Sequence, residues 1–344
     1  MKVLLYTELQ DTFSKSGLGR AIYHQEEALN AVGQPYTLDK SEDFDVLHIN
    51  TYLPGSYFLA WKSREEGKAV VYHAHSTEED FRNSFLFSNQ VAPLFKKWIT
   101  KAYELGDVIV TPTPYSKRLL QGYGIDKEIY TISNGINLND FQAIPYAREE
   151  FCRKWDYDPS QKIVMGIGLY LERKGILDFV ELARRMTDVQ FIWFGYTKPN
   201  LIPQRVSDAI KTQLPNLRFP GYVPNADIRL GLQATDVYLF PTLEETEGIP
   251  AVEACASKAR MIVRDIPVFE GWLEDGVNCY KARDLDGFEA RIRQLLNGEV
   301  PDLGEAAYEV AVARDIPKVG AALQRVYERA MELRDRRVGA ESDA

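Results

Sequence analysis

The stretch DVYLFPTLEETEGIPAVEACAS, residues 236–257, holds a strand, a loop and a helix start in one line. Val237 to Phe240 make a short apolar run led by a charged residue, the pattern of a buried strand. Gly248-Ile249-Pro250 then breaks the chain, and Pro250 suits a first helical position ahead of the apolar AVEACAS. A strand that feeds a helix in this way is half of a βαβ unit, and repeated units build a parallel sheet. Two acids, Glu245 and Glu253, stand eight residues apart around the glycine break.

Outward from this stretch the same alternation covers the chain. KVLLYT, DVLHIN, AVVYHAH, DVIVTP and EIYTIS read as one set of strands, and KIVMGIG, VQFIWFG, LRFPG, DVYLFP and ARMIVRD as a second. Helical segments lie between them, such as LGRAIYHQEEALNAVG, with Ala21, Ile22, Leu29 and Val32 near helical spacing and Gly33 as a stop. At 344 residues the chain exceeds one comfortable core and should split into halves of about 150 residues. The expected architecture is α/β: two Rossmann-like doubly wound domains facing a cleft. The first covers 1–145 and the second 160–310, and the charged, proline-bearing stretch 137–161 reads as the linker. A terminal helix over 314–335 is expected to pack over the junction.

Composition narrows the function. With 45% hydrophobic and 26% charged residues the chain has the make-up of a soluble globular protein. A net charge of −9 argues against a nucleic-acid partner, which calls for clustered Lys and Arg. Cys152, Cys255 and Cys279 are odd in number and lack CxxC spacing, so neither a disulfide framework nor a zinc site is suggested. The N-terminus meets acids at once and no stretch approaches 18 uncharged apolar residues, which reads as a cytosolic chain without a spanning helix.

Ligands of open parallel sheets sit beyond the carboxyl ends of the strands. SKSGLGR, residues 14–20, lies at such a place; Gly17 and Gly19 let backbone amides approach an anion at a helix start, or simply form a flexible turn, and the spacing is not that of a dinucleotide fold. HAHSTEEDF, residues 73–81, sets His75 just past a strand, where it can hydrogen-bond a polar substrate, serve the core, or join Glu78 or Asp80 around a metal. In GLYLERKGILDFV, Arg173 and Lys174 stand before a helical run, where cations oppose the dipole unless an anion is bound. Amides around Gly248 and Ile249, with carboxylates able to grip a vicinal diol, suit a diphosphate joined to two sugars. Three DxD triplets, at 43–45, 156–158 and 284–286, read as surface charge.

The run FRNSFLFSNQVAPLFKKWITKAY, residues 81–103, has no acid in an acidic protein. Arg82, Lys96, Lys97 and Lys101 interleave with Phe85, Phe87, Phe95 and Trp98, a mixture that suits an anionic membrane surface. Leu94, Phe95, Trp98, Ala102 and Leu105 also keep helical spacing, so a core-facing helix is the alternative.

Taken in order, the glycine loop, His75, ISNGIN, ERKG, FPGYVPNADI and the paired acids around Gly-Ile-Pro resemble glycosyltransferase family four, retaining enzymes of the GT-B fold that use nucleotide-sugar donors. The resemblance implies that Glu253 binds the ribose and Glu245 the hydroxyls of the transferred sugar. It implies that Arg173 and Lys174 neutralise the leaving diphosphate, that Gly17, Gly19, Gly248 and Ile249 line the donor site, and that His75 sits close to the sugar. Two positions depart from the family pattern: Glu-Thr-Glu-Gly at 245–248 replaces the common Glu-Gly-Phe-Gly, and Leu169 stands where many members carry Arg. HAHSTEEDFRNSF, SGLGRA and HINTY look most like the bacterial diglycosyl diacylglycerol synthases, which add a second hexose to glucosyl diacylglycerol. That likeness implies a UDP-glucose or UDP-galactose donor, no metal cofactor, a glycolipid acceptor, and a peripheral position on the inner face of the cell membrane. A soluble or polyprenyl-linked acceptor, a nucleotide-sugar epimerase and a non-catalytic nucleotide-sugar-binding protein remain as alternatives.

Overall fold

The computed structural model describes residues 1–9 and 17–342, so residues 14–16 of the first glycine stretch lie outside the described residues. The chain divides into two compact units, one of Met1–Glu79, Gln90–Asn137 and Arg314–Ala344, the other of Asp80–Asn89 and Leu138–Ala313.

In the first unit β1 (Val3–Tyr6), β2 (Tyr36–Thr37), β3 (Val46–Ile49), β4 (Ala69–His73), β5 (Val108–Thr111) and β6 (Glu128–Thr131) form a parallel sheet in the order β2-β1-β3-β4-β5-β6. Its helices are α1 (Gly17–Ala31), α2 (Pro54–Glu65), α3 (Glu78–Phe81, which ends in the other unit), α4 (Ser88–Tyr103), α5 (Pro114–Gly122) and the C-terminal α13 (Ile316–Ser342). Successive side chains of a strand point to opposite faces, and both faces are covered here. Val3, Val46 and Val71 pack with Ala28, Leu29, Leu323, Val326 and Tyr327 on one face. Leu4, Leu47, Val70 and Tyr72 pack with Ile99, Tyr103 and Leu120 on the other. Continuous apolar runs, not alternating ones, follow from that double burial.

The second unit holds β7 (Ile163–Ile167), β8 (Gln190–Phe194), β9 (Leu217–Gly221), β10 (Val237–Phe240), β11 (Met261–Arg264) and β12 (Tyr280–Ala282), all parallel, in the order β12-β11-β10-β7-β8-β9. Seven α-helices accompany them: α6 (Ala147–Trp155), α7 (Ile176–Arg185), α8 (Gln204–Ile210), α9 (Asn225–Ala234), α10 (Ile249–Ala256), α11 (Leu285–Leu296) and α12 (Gly304–Val312). The strand order reverses between β7 and β10, which makes the ends of those two strands the switch point where doubly wound sheets take ligands. The quoted stretch 236–257 is β10, its loop and α10.

The ten expected strands all form inside the quoted stretches; β2 and β12, two and three residues long at the sheet edges, carry too short a pattern to be read. The stretch 137–161, expected as a linker, is instead folded into the second unit: it contains a 3₁₀ turn, Leu138–Phe141, and α6, whose Phe151 and Cys152 are buried. The helix expected over the junction finds its packing partners in the first unit, where Val319, Leu323, Val326 and Tyr327 of α13 complete one core.

Candidate donor site and its surroundings

Two loops meet at the switch point of the second unit. After β7 the chain makes a 3₁₀ turn, Glu172–Lys174, and passes through Gly175 into α7. Gly175 adopts φ 77°, and a Cβ there would lie 2.2 Å from the Pro241 carbonyl oxygen, so the position accepts glycine alone. That close approach brings the β7 loop against the β10 loop. The Leu243 amide donates to the Arg173 carbonyl at 2.6 Å, and Thr242 Oγ1 lies 3.1 Å from the same oxygen.

The side chains then form one ionic cluster. Lys174 Nζ bonds Glu245 Oε1, the same oxygen that accepts from Thr242 Oγ1 at 2.9 Å, and Arg173 Nη1 lies 3.8 Å from Oε2. Arg173 also pairs with Asp80 at 2.9 Å and donates to Ser84 Oγ at 2.8 Å and to the Glu244 carbonyl at 3.2 Å. Glu245 is only 6% exposed. Burial pushes its pKa up, but Lys174 and Arg173 outweigh that and hold it below the ordinary carboxylate value. Lys174 is lowered, by burial first and Arg173 second, against the pull of Glu245 and Asp80, while Asp80 is raised, chiefly by burial. A lowered lysine favours the neutral pair and a lowered carboxylate the charged one. The charged form prevails here, because the Thr242 hydroxyl donates to the carboxylate and the Arg173 guanidinium stands beside it. The cluster therefore balances two cations with two carboxylates, Glu245 buried and Asp80 half-buried, and an arriving anion has to compete for the cations.

Gly248, at φ 92°, ends the β10 loop and caps α10. Ile249 opens that helix and Glu253 is its fifth residue. Glu247, the added acid of this loop, is buried at 1% exposed, not solvated. The pairing of Arg173 with Asp80 and Ser84 escapes the sequence, in which Asp80 stands only as a possible metal partner of His75, because the two lie 93 and 89 residues before Arg173 with no local signal joining them; Thr242, three residues before Glu245, is within reach of a local side-chain argument.

In the first unit His75 follows β4, stacked on His73 with ring centroids 4.0 Å apart and its Nε2 2.9 Å from Asn50 Oδ1. Burial lowers its pKa to about 3. Glu78 pairs with Lys96 at 3.6 Å and Asp80 with Arg173, so neither is gathered with His75, and no group of three metal-ligating side chains occurs among the described residues. Gly17 and Gly19 fall in the first turn of α1.

The basic and aromatic run divides in two. Trp98 packs against Tyr57 with ring centroids 5.3 Å apart and donates to the Tyr52 carbonyl at 2.7 Å, while Lys96 pairs with Glu78 and lies 4.3 Å over the Tyr123 ring; both work inside the fold. Arg82 is half-buried. Lys97 and Lys101 are exposed, as are Phe85, Phe87 at 72% and Leu94 at 67%. On α2 Phe58 and Trp61 are exposed too, a pair of aromatics that the sequence reading passes over because they sit among ordinary helix positions. No helix among the described residues is long and apolar enough to cross a membrane.

Two parallel-sheet Rossmann-like units are the architecture of the GT-B fold. Residues 29–140 match the profile of Glycosyltransferase Family 4, and residues 161–298 that of Glycosyl transferases group 1. The processive diacylglycerol alpha-glucosyltransferase of Acholeplasma laidlawii is 38% identical, covering 97% of this chain and 100% of that protein. The alpha-galactosylglucosyldiacylglycerol synthase of Streptococcus pneumoniae is 25% identical, covering 78% of this chain and 72% of its own. Among solved structures, Anabaena HepE in complex with UDP-glucose superposes with a TM-score of 0.76 at 14% identity, over 96% of this chain and 100% of its own. Sucrose-phosphate synthase from Thermosynechococcus elongatus gives 0.77 at 15%, over 96% and 98%. The chain belongs to glycosyltransferase family four.

Proposed function

We propose that this enzyme moves glucose or galactose from a UDP-sugar to a membrane glycolipid built on diacylglycerol, with monoglucosyl diacylglycerol as the first acceptor. The observation that carries this reading is the 38% identity, end to end, with a processive diacylglycerol alpha-glucosyltransferase. A fold shared with a protein solved with UDP-glucose supports the donor.

In this reading Arg173 and Lys174 stabilise the charge that grows on the departing diphosphate, and they supply by themselves the positive charge for which other classes use a metal. Glu245 exchanges part of its bond to Lys174 for the sugar hydroxyls. Glu253 takes the ribose, amides at Gly17, Gly19, Gly248 and Ile249 face the donor, and His75 meets the sugar. The bond from the anomeric carbon to the phosphate oxygen breaks as the bond to the acceptor hydroxyl oxygen forms on the same face. The acceptor's proton passes to the leaving phosphate, which gives UDP and a retained glycoside. Lys97 and Lys101, with exposed Phe87 and Leu94, meet the anionic lipid surface, and the enzyme works as a peripheral protein on the inner face of the cell membrane.

The test measures UDP release from UDP-glucose and from UDP-galactose separately, with monoglucosyl diacylglycerol in anionic vesicles, with and without EDTA, and identifies the lipid formed. A diglycosyl lipid from one donor, unchanged by EDTA, is expected. Donor binding without UDP release or lipid product would instead move the acceptor to a soluble or polyprenyl-linked saccharide.

A further inference from the structure

Behind His75 lies a chain of buried polar groups that reaches the C-terminal helix. Tyr327 Oη is 2.7 Å from His48 Nδ1, and His48 Nε2 is 3.1 Å from His73 Nδ1. Gln25 Nε2 bridges His73 Nδ1 at 3.0 Å and Asn50 Oδ1 at 2.9 Å, and Asn50 Oδ1 also meets His75 Nε2 at 2.9 Å. Four elements contribute: α1, β3 with the residue after it, the end of β4 with the turn after it, and α13. The rings of His48, His73 and His75 are stacked nearly parallel. His48, Asn50, His73, Gln25 and Tyr327 are all sealed from solvent.

Donor counting makes these groups depend on one another. An amide oxygen only accepts, so Asn50 Oδ1 takes a hydrogen from Gln25 and another from His75, which puts the His75 proton on Nε2. Gln25 Nε2 only donates, so His73 Nδ1 is a lone pair and His73 carries its proton on Nε2. His48 Nε2 donates to the same lone pair, a three-centre bond shared with Gln25, and its own Nδ1 accepts from the Tyr327 hydroxyl, while the His73 Nε2–H stays buried without a partner among the described residues. Turning both amides over reverses every link and puts all three protons on Nδ1, the intrinsically less favoured form of a neutral imidazole. Intermediate arrangements leave two donors or two acceptors facing each other in a dry interior.

We propose that Asn50, Gln25, His73, His48 and Tyr327 form one buried hydrogen-bond chain that sets the tautomer of His75, keeping its proton on Nε2 and offering Nδ1 as an acceptor to a hydroxyl of the transferred sugar. His75 Nδ1 makes no hydrogen bond among the described residues, and it is not among the side-chain atoms sealed from solvent. Burial keeps His48 and His75 neutral, each with a pKa lowered to about 3, so the ring meets the sugar without charge. Asn50 and Gln25 are thus positioning residues. The assignment of the sugar as the partner rests on the function proposed above, whereas the hydrogen-bond chain stands apart from it.

The chain has four histidines, few enough for each ring to be followed in long-range proton–nitrogen spectra of the full-length protein labelled at histidine. At pH 7 His48, His73 and His75 are expected as neutral Nε2–H tautomers. In Asn50→Leu the His75 signals should shift to a tautomer mixture, and kcat should fall about tenfold with little change in the KM for UDP-sugar. Gln25→Met, close in shape and uncharged, carries the same test if Asn50→Leu does not fold. A His75 that is charged, mixed or Nδ1–H in the unaltered protein, or one that ignores both substitutions, overturns the proposal. A tautomer that responds while turnover does not would leave the chain of bonds standing and remove His75 from the sugar.

Discussion

At the scale of single residues, the pair Lys174 and Glu245 concentrates the chemistry of the second unit. Lys174 is a half-buried lysine held by a carboxylate with an arginine alongside, and in the proposed function it is the cation that meets the leaving diphosphate. Replacement of Lys174 by Met removes one of two charges facing the leaving group and should lower kcat by about 10²-fold or more. It also leaves Glu245 buried with Arg173 only at 3.8 Å, so the melting temperature should fall as well. Turnover and thermal melting measured on the same preparation separate the two effects, and an unchanged kcat would take the pair out of catalysis. The added acid Glu247 teaches a related lesson: its place in the loop is plain in the sequence, but its burial depends on groups brought in by the fold.

At the scale of elements, α4 serves two purposes on two faces. Phe95 and Trp98 pack toward Tyr52 and Tyr57, and Leu94, Lys97 and Lys101 face outward. Both readings of the run 81–103 are therefore partly legible in the sequence, since helical spacing marks the inner face and the absence of acids marks the outer one. Substitution tells the faces apart. Leu94→Asp and Lys97→Glu should leave thermal stability within about 0.5 kcal/mol, as surface changes do, and weaken binding to anionic vesicles by about 1 kcal/mol for each charge altered. Trp98→Ala should instead cost about 2–4 kcal/mol of stability through lost packing and a lost hydrogen bond. Vesicle co-sedimentation beside urea unfolding reads both quantities. Equal vesicle binding by Leu94→Asp, Lys97→Glu and the parent protein would remove this face from the membrane.

At the scale of the whole molecule, the buried histidines tie stability to pH. His48 and His75 have pKa values near 3, His24 is lowered to about 4, and His73 is lowered well below its ordinary value, with burial the largest cause in each. The unfolded chain therefore takes up these protons first, near pH 6.5, and the folded state resists them until much lower pH. Stability is full above about pH 7 and falls as pH drops toward the folded values, by about 1.4 kcal/mol per pH unit for each fully buried histidine. Glu245 adds to the loss below the ordinary carboxylate pKa, while the raised Asp80 works in the opposite direction. Urea unfolding at pH 7.5 and 5.5 should show the histidine part by itself, since carboxylates with ordinary values are ionised at both. Equal stabilities at those two values would mean that the histidines are hydrated in solution.

The amino-acid sequence by itself determined the two parallel sheets, because strands buried on both faces are written as continuous apolar runs and their helices as periodic ones. It determined the family too, through the order of the glycine, histidine, basic and acidic positions. Tertiary structure alone decided the rest. Arg173 finds Asp80 and Ser84, and His48 finds Tyr327 across 279 residues, through contacts for which no local spacing exists. The same reason holds for 137–161, where charge and proline suggest a linker and burial of Phe151 makes a helix of the second unit. A local pattern states which face of an element is apolar; which neighbour covers that face, and which polar groups are buried with it, is settled when the elements pack.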